Sequence, residues 1–269
     1  MRVFAIKSDS YPKDKDLGYL FYYEKSKTFY IELPDKADPW ETPLLLSSLL
    51  EKGIYTINPY YSMMWVRQRI VPTDRQNLGY ILKANHMTEY DEFKMLMLAH
   101  GRCEQDDCYL AEIEETELPE CIKERAGHRI ASAAPLGDGR ILVEFVNDNT
   151  AVFRLAAYME AVSDGFREQH DRLEKDVVSP GGFYYIVDQN IIIPSGWIYE
   201  HGERLPLTAK QLDAVATQLL LSTTELREEL ECSRQNIDDM VKRGRITPVP
   251  KNANSKWFHA SAVNALKWE

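Results

Sequence analysis

The chain has 269 residues and a formal net charge of −10, so length predicts two or three domains and the charge weighs against loose wrapping of nucleic acid over the whole surface. Hydrophobic residues make up 44%, enough for real cores, and charged residues make up 28%, as in a soluble protein. No apolar run approaches the length of a membrane span, so no membrane partner is expected.

The opening run, Met1 to Asp9, turns polar too early for a signal peptide, and a cytoplasmic location is the expectation. Residues 1–124 read as an N-terminal α+β domain. Leu17 to Tyr23 and Thr28 to Leu33 are aromatic-rich runs separated by Glu24 to Lys27, a hairpin signal. Trp40 to Glu51 reads as a helix with Leu44, Leu45, Leu46, Leu49 and Leu50 on a wide apolar face and Gly53 ending it. Tyr60 to Val71 reads as a strand closed by Pro72, followed by helices over Asn77–Asn85 and Tyr90–Leu98. These aromatics have the chemistry of a stacking platform for single-stranded nucleic acid. Tyr and Phe are also good strand residues, however, and the surroundings are acidic, so packing is the expected role.

Gly101 to Arg125 is strongly acidic. Glu104, Asp106 and Asp107 are hard-cation ligands by type, but a calcium loop needs a longer run of oxygen ligands and a placed turn glycine. A solvated loop is expected. His100, Cys103, Cys108 and Cys121 form the one loose cluster of soft ligands. There is no C-x-x-C pair, and the spacing fits no zinc ribbon or finger, so these read as reduced thiols and no metal site is expected.

Residues 125–204 read as a second, small α+β domain. Arg140 to Val146 and Thr150 to Leu155, joined by Asn147-Asp148-Asn149, give a clear hairpin signal. Tyr158 to Leu173 has helical character, and Pro180-Gly181-Gly182 marks a turn. Phe183–Val187 and Ile191–Ile193 make a second strand pair, which Pro194 to Tyr199 would close. This order resembles a small bacterial domain family of unknown function on Phe145, Asp148, Thr150, Tyr158, Asp188, Asn190, Ile198 and Tyr199. The resemblance implies no catalytic residues.

Residues 205–269 carry the most specific pattern. Pro206 to Leu220 reads as a helix capped by Thr208, with Leu212, Val215, Ala216 and Leu219 as its buried side. Ser222 and Glu225 have capping-box spacing, and Leu226 and Leu230 lie one turn apart. Glu231-Cys232 interrupts, and Ser233 offers the cap of a second helix whose stripe is Ile237, Met240 and Val241. Gly244 stops that helix. Gln235, Asp239 and Lys242 point away from the stripe, flanked by Asn236, Asp238 and Arg243, with Arg234 at its edge. From Met240 to Trp268 there is no acid, while Lys242, Arg243, Arg245, Lys251, Lys256 and Lys267 are basic.

The run from Thr223 to Arg245 resembles the excisionase-like winged helix-turn-helix family, related to the mercury-resistance-regulator type. The resemblance implies a strand over Ile246–Val249, a wing tip over Lys251–Ser255, a return strand at Lys256-Trp257-Phe258 and a closing helix from Ser261 to Trp268. The departure is Asp238-Asp239, two acids on a face that would meet phosphate. The implied DNA-facing residues are Thr223, Ser233, Arg234, Gln235, Asn236, Asp239, Lys242, Arg243, Arg245, Lys251 and Lys256. Gln and Asn bond bidentately to adenine and Arg to guanine, and Lys251 and Lys256 would meet phosphates.

No nucleotide-binding, metalloprotease or nucleophile-elbow motif is present, so neither an enzyme nor a cofactor is expected. A Cys103/His100 nucleophile pair is conceivable by spacing alone. The expectation is two small α+β domains followed by a winged helix-turn-helix. Its expected function is sequence-specific binding of double-stranded DNA as a transcriptional regulator, and as a homodimer, since one such module buries little DNA-facing surface. The alternative is an antitoxin-like or adaptor protein whose acidic front domains hold a partner protein.

Overall fold

The computed structural model describes residues 1–162, 177–187, 191–252 and 255–268. The chain is an α+β protein of helices and antiparallel sheets. Its contacts divide it into two compact units. One takes Met1–Ala131 with the described part of 173–200, and the other takes the described part of 132–172 with the chain from His201 onward. Residues 125–204 contribute to both.

In the first unit β1 (Arg2–Ser8), β2 (Gly18–Tyr23) and β3 (Thr28–Glu32) form a meander. After α1 (Leu44–Leu50), the short β4 (Thr56–Ile57) adds beside β3. After α2 (Pro59–Arg67), α3 (Leu78–Ala84) and α4 (Glu92–Leu98), β5 (Cys108–Ile113) adds beside β1. The sheet order is therefore β4-β3-β2-β1-β5. Side chains alternate across a strand, and here both faces are sealed. Phe4, Ile6, Leu20, Tyr22, Phe29 and Ile31 pack with Leu46, Leu49, Trp65, Val66 and Leu96 from the helices. Val3, Ala5, Tyr19, Phe21 and Tyr30 pack on the other face with Leu118, Ile122, Phe183 and Tyr184. A sheet covered on both sides has strands without polar alternation, which explains the aromatic runs. Tyr19, Phe21, Tyr22, Phe29 and Tyr30 are all buried, so no stacking platform is exposed there.

The strand expected over 60–71 is instead the helix α2. Asn58 caps it, accepting from the Tyr61 amide at 3.0 Å, and Pro59 occupies its first turn. Ser62, Trp65 and Val66 fall on its buried face at helical spacing. In the acidic loop before β5, Asp106 and Asp107 are both engaged. Asp106 accepts from the buried Arg69 guanidinium and, at 3.1 Å, from the Cys108 amide, and the Cys103 thiol lies 3.7 Å from its carboxylate. Asp107 accepts from the Ser8 hydroxyl at 2.9 Å and from Ser10. Among the described residues no group of three His, Cys, Asp or Glu side chains is placed to hold a metal.

After α5 (Glu120–Gly127), β6 (Ile130–Gly137) carries the chain into the second unit. There β7 (Arg140–Phe145) and β8 (Thr150–Arg154) form the expected hairpin, with Ile141 opposite Phe153 and Val143 opposite Ala151. Helix α6 (Leu155–Val162) follows; the remainder of the helix expected to reach Leu173 lies outside the described residues. The chain then returns to the first unit as β9 (Val177–Val178), β10 (Tyr184–Ile186) and β11 (Ile192–Pro194), a sheet in the order β11-β10-β9. Asp188 and Asn190 lie outside the described residues. Residues 194–199, expected to close that strand pair, instead run into helix α7 (Ser195–His201). Gly182 has φ +73°, and a Cβ there would stand 2.2 Å from the Ile130 carbonyl oxygen, so this turn requires glycine.

The second unit resumes with β12 (Glu203–Arg204) on the edge of the sheet β12-β8-β7-β6, then α8 (Ala209–Leu219). The Asn147-Asp148-Asn149 turn holds the start of α8: the Asp148 carbonyl accepts from the Ala209 amide at 3.1 Å and its carboxylate from the Lys210 amide at 3.3 Å. Thr150 donates its hydroxyl to the Leu207 carbonyl. Thr208 caps α8 as expected, in a capping box with Gln211. The apolar side of α8 is not buried: Val215 is 42% and Leu219 51% exposed.

Two tests follow from this packing. Phe145 is buried in the hairpin face, so Phe145→Ala lowers stability by about 3–5 kcal/mol in chemical denaturation; an unchanged midpoint would contradict its burial. The second concerns Glu32, a carboxylate sealed inside the first unit. It accepts from Arg125 Nε at 3.1 Å and from the Thr56 hydroxyl at 3.0 Å, while Arg129 Nη2 stands at 3.8 Å. Burial pushes its carboxyl above the usual range, against the pull of Arg125 and Arg129. A folded-state value above the unfolded one means stability is lost as pH rises through it. Arg125→Ala raises that value further and lowers stability by about 3 kcal/mol at neutral pH. The deficit shrinks in acid, where Glu32 takes up a proton; an equal deficit at both pH values would assign the effect to packing alone.

Candidate nucleic-acid interface

The C-terminal part of the second unit is two helices, a hairpin and a closing helix. Helix α9 (Thr223–Glu229) begins with the expected capping box: the Glu225 amide donates to Ser222 Oγ at 3.2 Å and the Ser222 amide to Glu225 Oε2 at 2.7 Å. It ends at Leu230. The Cys232 amide then donates to the Arg227 carbonyl at 3.1 Å and the Glu231 amide to that of Glu228 at 3.3 Å, the two bonds of a Schellman turn. Glu231 sits in its left-handed position at φ 47°. Helix α10 (Arg234–Lys242) follows, capped by Ser233, whose hydroxyl accepts from the Asn236 amide at 3.2 Å. Its end repeats the same turn, Arg245 to Met240 at 2.9 Å and Gly244 to Val241 at 3.1 Å, now with Gly244 at φ +71°.

Helix α8, expected to run to Leu220, stops at Leu219, and the connection from Leu220 to Ser222 is a strand. β13 (Leu220–Ser222), β15 (Ser255–His259) and β14 (Val249–Asn252) make a three-stranded sheet in that order, with Leu221 opposite Phe258 and Val249 opposite Trp257. Helix α11 (Ala260–Trp268) closes the chain. Leu226, Ile237, Ile246, Phe258 and Val263 form the core, with Leu230, Met240 and Val241 packed against it. The stripe read from the sequence on α10 is thus the side that faces inward.

The opposite side is polar. Arg234, Gln235 and Asn236 are exposed at the start of α10, Lys242 and Arg243 at its end, and Arg245 just beyond. Other residues of the expected set have work inside the fold. Ser233 is the cap of α10, and the Thr223 hydroxyl lies 3.4 Å from the Lys256 carbonyl, toward which it donates. Asp239 stands 3.9 Å from Lys242 Nζ. Lys256, expected to meet phosphate, donates to Asp238 Oδ1 at 2.8 Å and holds that carboxyl below its usual range. Nothing in the sequence spacing signals this pair, because the two residues belong to different elements. The Lys251 side chain and the tip residues Ala253 and Asn254 lie outside the described residues.

No family model, curated protein or solved structure matches the chain. In the first unit a cavity of about 800 Å³ opens beside Phe4, Tyr22, Phe93 and Met97. Two ion pairs stand among its lining residues, Arg2 with Glu112 at 2.7 Å and Lys27 with Asp91 at 3.4 Å. No helix among the described residues is long and apolar enough to cross a membrane.

The two turns give a matched pair of substitutions. Glu231 holds a conformation that costs a non-glycine residue about 1–2 kcal/mol. Glu231→Gly therefore raises stability by about 0.5–1 kcal/mol, after the extra freedom glycine has in the unfolded chain. Gly244→Ala lowers stability by about 1 kcal/mol for the same reason reversed. Thermal melting of both variants reads the pair, and shifts of the same sign would show that the two turns are not alike.

Proposed function

We propose that this chain is a sequence-specific, double-stranded DNA-binding protein, a cytoplasmic transcriptional regulator that acts as a homodimer and not as an enzyme. In this reading residues 205–269 are a winged helix-turn-helix domain, α10 lies in the major groove, and the hairpin β14–β15 lies along the phosphates. The observation that carries it is the two-sided character of α10. Ile237 is fully buried, while Arg234, Gln235, Asn236, Lys242 and Arg243 are exposed on the same helix. Amides and guanidinium groups at the start of a second helix are the groups that read base edges. The likeness of Thr223–Arg245 to the excisionase-like family supports the same assignment.

Base and phosphate contacts have different signatures. Gln235→Ala loses about 1–3 kcal/mol on the preferred site and relaxes discrimination there. Arg243→Ala weakens all duplexes alike and lowers the salt slope by about one unit. Fluorescence anisotropy on duplexes selected from a random pool measures both. If neither substitution alters binding to any duplex, α10 does not face DNA.

A second reading is a protein-interaction module that holds a partner through the first unit. Trp40 is 94%, Leu44 87%, Tyr80 76% and Tyr60 69% exposed, large apolar side chains standing in water. A stable unlike partner that co-purifies, is released by Trp40→Ala and leaves no DNA footprint favours this second reading.

A further inference from the structure

The polar side of α10 carries two carboxylates, Asp238 and Asp239, among the groups assigned to DNA. Repulsion between those acids and phosphate is the simple expectation. The structure gives Asp238 a more specific position. Lys256 reaches it from β15 at 2.8 Å, with the two side chains 49% and 41% exposed. The backbone of Lys256 is fixed on both sides: it pairs with Pro250 in β14, and its carbonyl faces the Thr223 hydroxyl at 3.4 Å. The lysine is therefore set by the sheet, and its ammonium is directed onto α10.

We propose that Asp238 is a specificity-determining residue: it stands in for a DNA phosphate and holds Lys256 until a duplex displaces it. This rests on the DNA-binding reading above. A carboxylate offers an ammonium the same kind of charged oxygen acceptor as a phosphate. When a phosphate takes Lys256, it releases a cation condensed on the DNA. The same exchange strips Asp238 of its partner beside a polyanion, and Asp238 takes up a cation from solution. Release and uptake offset each other, so the contact adds little to salt-driven, sequence-independent binding. Contacts to base edges at the start of α10 are untouched. Discrimination rises because binding to the wrong sequence is weakened, which is how specificity is built against competitors.

The test uses the full chain and a random-sequence duplex, titrated over a salt series by anisotropy, with thermal melting to show that each variant is folded. Asp238→Asn tightens binding about fivefold at physiological salt and steepens the log–log salt slope by about 0.9. The same substitution made together with Lys256→Ala gives a clearly smaller gain over Lys256→Ala alone, because only the relief of repulsion is left. If Asp238→Asn tightens binding equally in both backgrounds, the acid acts by direct repulsion, and the stand-in role is overturned while DNA binding stands. The role is likewise overturned if Asp238→Asn changes nothing in a protein that binds DNA. A wild-type chain that binds no duplex at any salt removes the DNA-binding reading, and this proposal with it.

Discussion

A helix of nine residues does not hold itself in water, since isolated helices shorter than about 12–15 residues are marginal. Helix α10 exists because Ile237 is sealed against Leu226, Ile246, Phe258 and Val263. Burying one such side chain is worth about 1.5–3 kcal/mol, a large share of what so short an element needs. The cap at Ser233 and the glycine turn at Gly244 fix where the helix begins and ends. The same burial sets its rotation: with Ile237 inward, Gln235 and Lys242 have nowhere to point but out. The polar side offered to a ligand is thus a consequence of the small core behind it and of the sheet β13-β15-β14 that supplies Phe258.

The first unit answers to a different constraint. Its central sheet is covered on both faces, so aromatic side chains that look like a binding surface in the sequence are interior. Covering both faces also encloses whatever polar group the strands carry. Glu32 is the consequence, and Arg125, Thr56 and Arg129 converge on it. The acidic loop follows the same logic: Asp106 is drawn to the buried Arg69, and Asp107 to the hydroxyls of Ser8 and Ser10. Acids that resemble a cation site by composition hold the loop onto the sheet.

What was legible in the sequence was what local physics decides. The capping box at Ser222 and Glu225, the caps at Thr208 and Ser233, the Gly244 stop and the hairpins over 17–33 and 140–155 each rest on residues a few positions apart. What escaped depends on distant partners. Strand β5 pairs only with β1, across roughly a hundred residues of chain. β13 is a strand only because β15 comes back to pair with it. The run over 59–67 has strand-like composition, and the Asn58-Pro59 start, which composition ignores, makes it a helix. On α8 the stripe was legible and its burial was not: amphipathic spacing says that a side is apolar, not that anything in the chain covers it. For the candidate interface the helix, its inward stripe and its exposed residues were legible, while the Asp238–Lys256 pair was not.

That pair changes how the charge of the C-terminal end is counted. By sequence, Met240 to Trp268 is a run of bases without acids. In space the acids just upstream reach into it, Asp238 onto Lys256 and Asp239 near Lys242. The basic character left on α10 is concentrated at its two ends, with Arg234 at the start and Arg243 at the cap. At 1.5 Å per residue these lie about 13 Å apart along the axis. Two well-separated guanidinium groups make a weaker electrostatic funnel than a continuous patch, and the chain's net charge of −10 weakens it further. Under the proposed DNA-binding reading, such a surface would have little affinity to spare for arbitrary sequence. Discrimination would then rest on the short arc from Arg234 to Asn236, where exposed amide and guanidinium groups stand at the start of α10.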